Sequence, residues 1–264
     1  MALKPTNPTE ATPDTQELAR IDGGREVATA NQNMEIGGVY GDLDDIPVRP
    51  PMLGLSYAQG KLSEFPKGSF VLGDTDMLVK AGQPLTITIL AFAVYWKEYL
   101  PYDPNSQNPP RRFLKKEEVI EAGGTISWTK RGGGLPDLPP TFKMAMVANV
   151  LVRKPDDVMC EQFGLELGGK MWAAARWSID KQAAASVLPI LNNDRKLALA
   201  ATGIQSGVYE LKSVAQQSSG GITYFVPKVR LVTRHPEAVL TKINEMLGGN
   251  AGNLDINGDE EANG

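Results

Sequence analysis

Two residue types are nearly missing from this chain of 264 residues: it has one histidine, His235, and one cysteine, Cys160. A His/Cys metal cluster needs several such ligands, so that class of site is excluded, and an intramolecular disulfide cannot form. A thiol–imidazole pair would need Cys160 and His235 to meet, yet His235 precedes Pro236 at a predicted helix start, where an imidazole ordinarily caps or faces water. The lone thiol fits a reducing compartment. No apolar run approaches the ~20 residues of a membrane span, and the polar N-terminus lacks a signal-peptide pattern. The chain therefore reads as soluble and cytoplasmic, with no membrane partner.

Catalytic constellations are equally scarce. Asp44-Asp45 and Asp156-Asp157 are adjacent acids in turn-like stretches, where carboxylates are ordinarily solvated. The string Gly164-Leu165-Glu166-Leu167-Gly168-Gly169-Lys170-Met171 has the spacing of a phosphate-binding loop except at its last position. There the motif needs a Ser or Thr hydroxyl for magnesium, which Met171 cannot supply, so the segment reads as a turn between strands. No cofactor, no metal and no enzymatic activity are expected.

What the chain does have is a divided charge. The formal net charge is -4, yet residues 1–50 carry nine acids against four bases, and residues 248–264 carry four acids and no base. The body, 51–247, keeps 23 bases against 18 acids, a surplus of five positive charges. Residues 1–38 are rich in Thr, Asn, Pro, Glu and Gly with no apolar period and read as a disordered arm, and 248–264 reads as a disordered acidic tail. One domain is expected over 39–247.

Within that domain, 46–53 (Ile-Pro-Val-Arg-Pro-Pro-Met-Leu) reads as an extended lead-in, 69–73 as a short strand, and 85–96 as a long strand whose second half is buried on both faces. A proline-rich loop over 101–110 precedes a short helix at 117–122. A strand at 125–129 and a flexible basic loop at 130–134 come next. Phe142, Met144, Met146, Ala148, Val150 and Val152 alternate and predict a half-buried strand. One or two strands surround Gly168-Gly169. Ser178 could cap a helical region over 182–201, with Asp180 in its first turn and a break or kink at Pro189. The arms 208–214 and 222–231 form a β-hairpin around Ser218-Ser219-Gly220-Gly221, and Pro227 marks its second arm as an edge or bulged strand. Pro236 and Gly248 bracket a last helix with an apolar stripe of Val239, Leu240, Ile243, Met246 and Leu247. The fold class is mainly β (α+β): an OB-like antiparallel Greek-key barrel with inserts, a helical segment before the last hairpin and a C-terminal helix, with a generic α+β sheet as the competing arrangement.

Basic and aromatic residues interleave through the body. Trp96-Lys97 and Tyr99 lie near Arg111, Arg112, Lys115 and Lys116; Trp128 sits beside Lys130 and Arg131; Trp172 and Trp177 flank Arg176. Single strands are held by cationic grooves that track phosphates and by aromatic faces on which bases stack, at about 1–3 kcal/mol per stacked base. Each residue taken singly has a plainer reading, tryptophans as core and Arg/Lys pairs as solvated loops. As a set, Arg111, Arg112, Lys115, Lys116, Lys130 and Arg131 are the expected phosphate contacts, and Arg176 belongs to the same expected nucleic-acid-binding set. Trp96, Trp128, Trp172 and Trp177 are the expected stacking surfaces, with Tyr99 as a further nucleic-acid-binding residue.

The chain resembles a family of bacteriophage proteins of similar size that act in DNA replication or recombination. The likeness is carried by 46–55 (Ile-Pro-Val-Arg-Pro-Pro-Met-Leu-Gly-Leu), by the strand over 82–99 and by the hairpin plus helix over 207–247. The end of the chain, Gly248-Gly249-Asn250 leading to Asp255, Asp259, Glu260 and Glu261, is similar to the glycine-rich linker and acidic tip of bacterial and phage single-stranded-DNA-binding proteins. Those tips finish on an apolar residue, whereas this one ends Ala262-Asn263-Gly264. The resemblance implies single-stranded DNA as partner, little sequence preference, a protective role on exposed strands, and replication or recombination proteins docking on the tail. A homo-oligomer is compatible with it. The alternative is a phage structural or assembly protein that self-associates through its strands; salt-dependent binding to a single strand separates the two.

Overall fold

Two long apolar strands organise the fold. Strand β4 (Leu85–Glu98) pairs antiparallel with β6 (Phe142–Arg153) from Ile87 opposite Val152 to Glu98 opposite Phe142, with one extra residue, Leu90, bulging out of β4. The computed structural model describes residues 50–100, 109–133, 135–218 and 220–247, all within one compact unit. The arm 1–38, the lead-in residues 46–49, most of the 101–110 loop and the tail with Asp255, Asp259, Glu260 and Glu261 lie outside them.

The remaining strands extend this pair on both sides. β8 (Lys170–Asp180) lies on β6, and β7 (Leu165–Leu167) on β8. On the other edge of β4, β9 (Gly207–Gln217) pairs with its first residues and carries β10 (Thr223–Arg234). The two-residue β5 (Arg112–Phe113) pairs with the last residues of the same edge. The large sheet thus runs β10-β9-β4-β6-β8-β7, with β5 beside β4. A second antiparallel sheet, β1-β2-β3, consists of β1 (Leu53–Leu55), β2 (Phe70–Leu72) and β3 (Asp76–Val79).

The architecture is therefore mainly β, with two antiparallel sheets and three α-helices among the described residues: α1 (Lys116–Glu121), α2 (Lys181–Asn193) and α3 (Glu237–Met246). The large sheet is open, since β10 and β7 end it without pairing to each other. That departs from the barrel expected from the strand count. The reason lies in strand length: β7, at three residues, is too short to carry the sheet round to the twelve-residue β10.

One face of the large sheet makes the main core. Ile87, Ile89, Met146, Val150, Trp177 and Leu211 meet Leu53, Phe70 and Leu72 of the small sheet and Ala184, Val187, Leu188 and Leu191 of α2. The Leu90 bulge matters here, because it lets Ile87, Ile89, Phe92 and Val94 all point at this core from one strand. On the other face α3 covers one end, where Val239 and Ile243 pack on Leu90, Leu151, Leu167 and Trp172.

Several local expectations change. The half-buried reading of 142–152 gives way to a central strand buried on both faces, since Ala145, Val147 and Leu151 are as enclosed as Met146 and Val150. Residues 125–129 make no strand; only Thr129 bridges Leu138, because the glycines and prolines around them cannot sustain a ladder. Ser178 lies in β8 opposite Val147, and Asp180 occupies the cap position of α2. α2 runs through Pro189 to Asn193 and then widens into a π-turn, Asp194–Ala198, its buried stripe holding it on the sheet despite the proline. Pro236 is the residue before α3 rather than its first.

Candidate nucleic-acid interface

At one end of the large sheet the register brings cations together. Lys97 of β4 lies opposite Lys143 of β6 on one side and opposite Arg112 of β5 on the other, so the three share the sheet face that is turned from the main core. Like charges directly opposite each other on a sheet destabilise the pairing, by up to about 1 kcal/mol per pair. Among the described residues no carboxylate forms an ion pair with Lys97 or Lys143.

Tyr99, just beyond β4, gathers the row into a site. The ammonium of Lys143 stands 4.1 Å from the centre of its ring, and that of Lys181, the first residue of α2, stands 4.3 Å from it. Lys181 also forms no ion pair among the described residues. Its backbone has φ 52, in the left-handed region that a lysine enters only at a cost, and apart from Ala58 it is the only non-glycine described there. The strain delivers a second ammonium to the ring. Lys97, Glu98, Tyr99, Leu100, Pro110, Lys143, Asp180 and Lys181 enclose a recess of about 180 Å³.

The two carboxylates of the recess differ. Glu98 accepts hydrogen bonds from Arg111: Nε at 3.0 Å, Nη2 at 2.7 Å and the backbone N–H at 3.1 Å. This fork holds the Glu98 carboxyl below the usual carboxylate range. Asp180 makes no side-chain capping bond to α2 and pairs with no cation among the described residues.

An arm rises beside the recess. Thr125 and Thr141 clasp its root, each backbone N–H donating to the other's Oγ1 at 2.8 and 3.1 Å, and Tyr99 N–H donates to the Thr141 carbonyl at 2.7 Å. Thr129 and Leu138 exchange backbone hydrogen bonds at 3.0 and 2.9 Å further out. Trp128 projects from this arm with 64% of its surface exposed, and Lys130, Arg131, Leu135 and Leu138 are exposed beside it.

The residues expected from sequence therefore separate. Arg112 stands in the cation row, with its guanidinium 5.6 Å from the centre of the Tyr95 ring. Tyr99 keeps 47% of its surface, and two ammoniums stand at its ring. Arg111 is consumed by Glu98 and lies 5.4 Å from the centre of the Phe142 ring. Lys115 and Lys116 are exposed at the start of α1, diluted by Glu117 and Glu118. Trp128, Lys130 and Arg131 are together on the arm. Arg176 shares the face of the row, opposite Asn149, and its backbone N–H donates to the Pro51 carbonyl at 2.9 Å. Trp96 is half-buried on the opposite face from Lys97, between Met144 and Phe113.

Trp172 and Trp177 need correcting as stacking surfaces. Trp177 is 1% exposed in the main core, and Trp172 is 4% exposed under α3, its Nε1–H donating to the Leu167 carbonyl at 3.3 Å. Alternation sends both indoles into packed layers, and no ring face is left for a base. Lys143, Lys181 and Asp180 were missed as site residues. Strand register and the turn into α2 bring them together, and neither is written in local sequence.

The remaining motifs are structural. The near phosphate-binding loop is the β7–β8 hairpin, turning on Gly168 and Gly169 at φ 59 and 70, a two-residue turn that needs positive φ twice. His235 shares a hydrogen bond of 2.7 Å with Thr88 Oγ1 and meets the Trp172 ring edge-on; burial pulls its pKa down. Burial pushes the Cys160 thiol up, away from the thiolate. Among the described residues no group of three His, Cys, Asp or Glu side chains could hold a metal ion, and no helix is long and apolar enough to cross a membrane. Comparison with protein-family models, with curated proteins and with solved structures finds no match.

Proposed function

We propose that the chain binds single-stranded nucleic acid at this end of the large sheet and performs no chemistry on it. The observation that carries the reading is the cross-strand row Arg112–Lys97–Lys143, continued by Lys181, with three lysines unpaired by any described carboxylate. Phosphates relieve the mutual repulsion of such a row, and Trp128 on the adjoining arm offers a base an open ring. In the setting implied by the sequence resemblance, the protein protects exposed strands during phage DNA replication or recombination in the host cytoplasm, with partner proteins docking on Asp255, Asp259, Glu260 and Glu261. An OB-like mode, in which a closed barrel wraps the strand, belongs to the same proposal and would need the large sheet to close. The proposed platform is an open sheet end.

The self-assembling alternative has less to support it. β10 carries Pro227, Lys228, Arg230 and Arg234 and breaks register between Leu231 and Thr233, and β7 is three residues long. Short, prolyl, cationic and irregular edges discourage strand addition.

The test is fluorescence anisotropy of a labelled oligonucleotide titrated at several salt concentrations. Log affinity should fall against log salt with a slope of about 0.7 per phosphate contacted, and Lys97→Ala with Lys143→Ala should lower that slope by about 1.4. Absent binding, or a slope the double substitution leaves unchanged, overturns the proposal.

A further inference from the structure

The recess contains a group that a pure phosphate site would be better without. Asp180 is half-buried among Lys97, Lys143 and Lys181, where its charge opposes the attraction of a polyanion. It is not spent on structure: it makes no capping hydrogen bond to α2 and no ion pair with the neighbouring lysines. The other carboxylate of the recess, Glu98, has both oxygens filled by Arg111. Asp180 is thus the carboxylate of the recess that no described side chain engages.

We propose that Asp180 reads the base of a nucleotide whose phosphate rests on the lysines, and so makes the site favour bases that carry an amino group. This rests on the reading that the cation row binds single strands. A carboxylate at neutral pH only accepts hydrogen bonds. Cytosine N4, adenine N6 and guanine N2 can donate to it, and guanine adds its N1–H on the same edge; acceptance from cytosine N4 is an established carboxylate–base pairing. Thymine offers a single imino N–H flanked by two carbonyl oxygens, which repel a carboxylate. The expected order places guanine first and thymine last, in contrast to the indifference to sequence that the resemblance implies.

Paired short oligo-dC and oligo-dT strands, both pyrimidine, test the idea on the full chain and on Asp180→Ala. Wild type should bind oligo-dC about fivefold or more tightly than oligo-dT, the low end for one base contact. The substitution should move the two affinities in opposite directions, weakening oligo-dC and strengthening oligo-dT as a negative charge leaves the site. A melting curve checks folding, which should be little affected because Asp180 makes no capping bond, and Asp180→Asn supplies a second variant that keeps the shape. If both strands bind wild type with a ratio that neither substitution changes, base reading by Asp180 is wrong while strand binding stands. If neither strand binds wild type, the proposed function falls with it.

Discussion

Lys181 offers a prediction in which stability and binding should move apart. Its φ of 52 places an L-residue with a β-carbon in the left-handed region, which costs roughly 1–2 kcal/mol. Glycine enters that region freely but loses more backbone entropy on folding, roughly 0.5–1 kcal/mol. Lys181→Gly should therefore be more stable than Lys181→Ala by about 1 kcal/mol, since both delete the ammonium and only one removes the strain. In a domain of this size that is about 2–4 °C in melting temperature, readable by differential scanning calorimetry. Both variants lose a cation–π contact with Tyr99 worth about 0.5–1 kcal/mol, so it cancels in the comparison. Binding should not distinguish the two variants. Each variant gives up one phosphate contact and lowers the salt slope by about 0.7, with no difference between them. Equal melting temperatures for the two would refute the strain. Wild-type affinity and slope in Lys181→Gly would refute the reason for tolerating it.

Three other expectations are independent of that one. Intrinsic fluorescence should fall when an oligonucleotide binds, and Trp128→Phe should abolish most of the change, because Trp172 and Trp177 have no open face; quenching that survives the substitution would reassign the stacking. Glu98→Gln should release Arg111 and remove a negative charge, so affinity should rise and the salt slope steepen by up to about 0.7; weaker binding would mean that the pair orders the recess instead. His235 is held neutral by burial, below its usual pKa of 6.5, so the unfolded chain takes up the proton first as pH falls. Stability should decline as pH drops through that value, and His235→Gln should flatten the decline, measured as melting temperature over roughly pH 7 to 5.

The fold was more legible in the sequence than the site, for a physical reason. Strand and helix periodicity are local, and the runs over 85–96 and 142–152, the Gly168-Gly169 turn and the 208–231 hairpin all sit where their patterns place them. The face of each strand was harder to read. Met144, Met146 and Ala148 suggested one buried side, whereas Ala145 and Val147 are just as enclosed, because small apolar residues look neutral in an alternating pattern. The site depends on non-local register. Lys97, Lys143 and Lys181 are far apart in the chain, and only the pairing of β4 with β6 and the turn at Asp180 unite them. The tryptophans misled for the same reason: proximity to Arg176 in sequence says nothing about which side of β8 a ring takes.

The single bulged residue in β4 has a consequence for how this surface could arise or vanish. Before Leu90 the odd-numbered residues Ile87 and Ile89 look toward the main core; after it the even-numbered Phe92 and Val94 do, and Lys97 is turned away with Tyr95. Leu90 therefore sets the parity of the strand. Deleting it would exchange the two faces of everything downstream, driving Lys97 inward and bringing Phe92, Val94 and Trp96 out. One codon in the middle of an apolar run, far from any charged residue, decides whether the cation row exists, and a change in chain length there would be felt as an all-or-none loss of binding rather than a graded one.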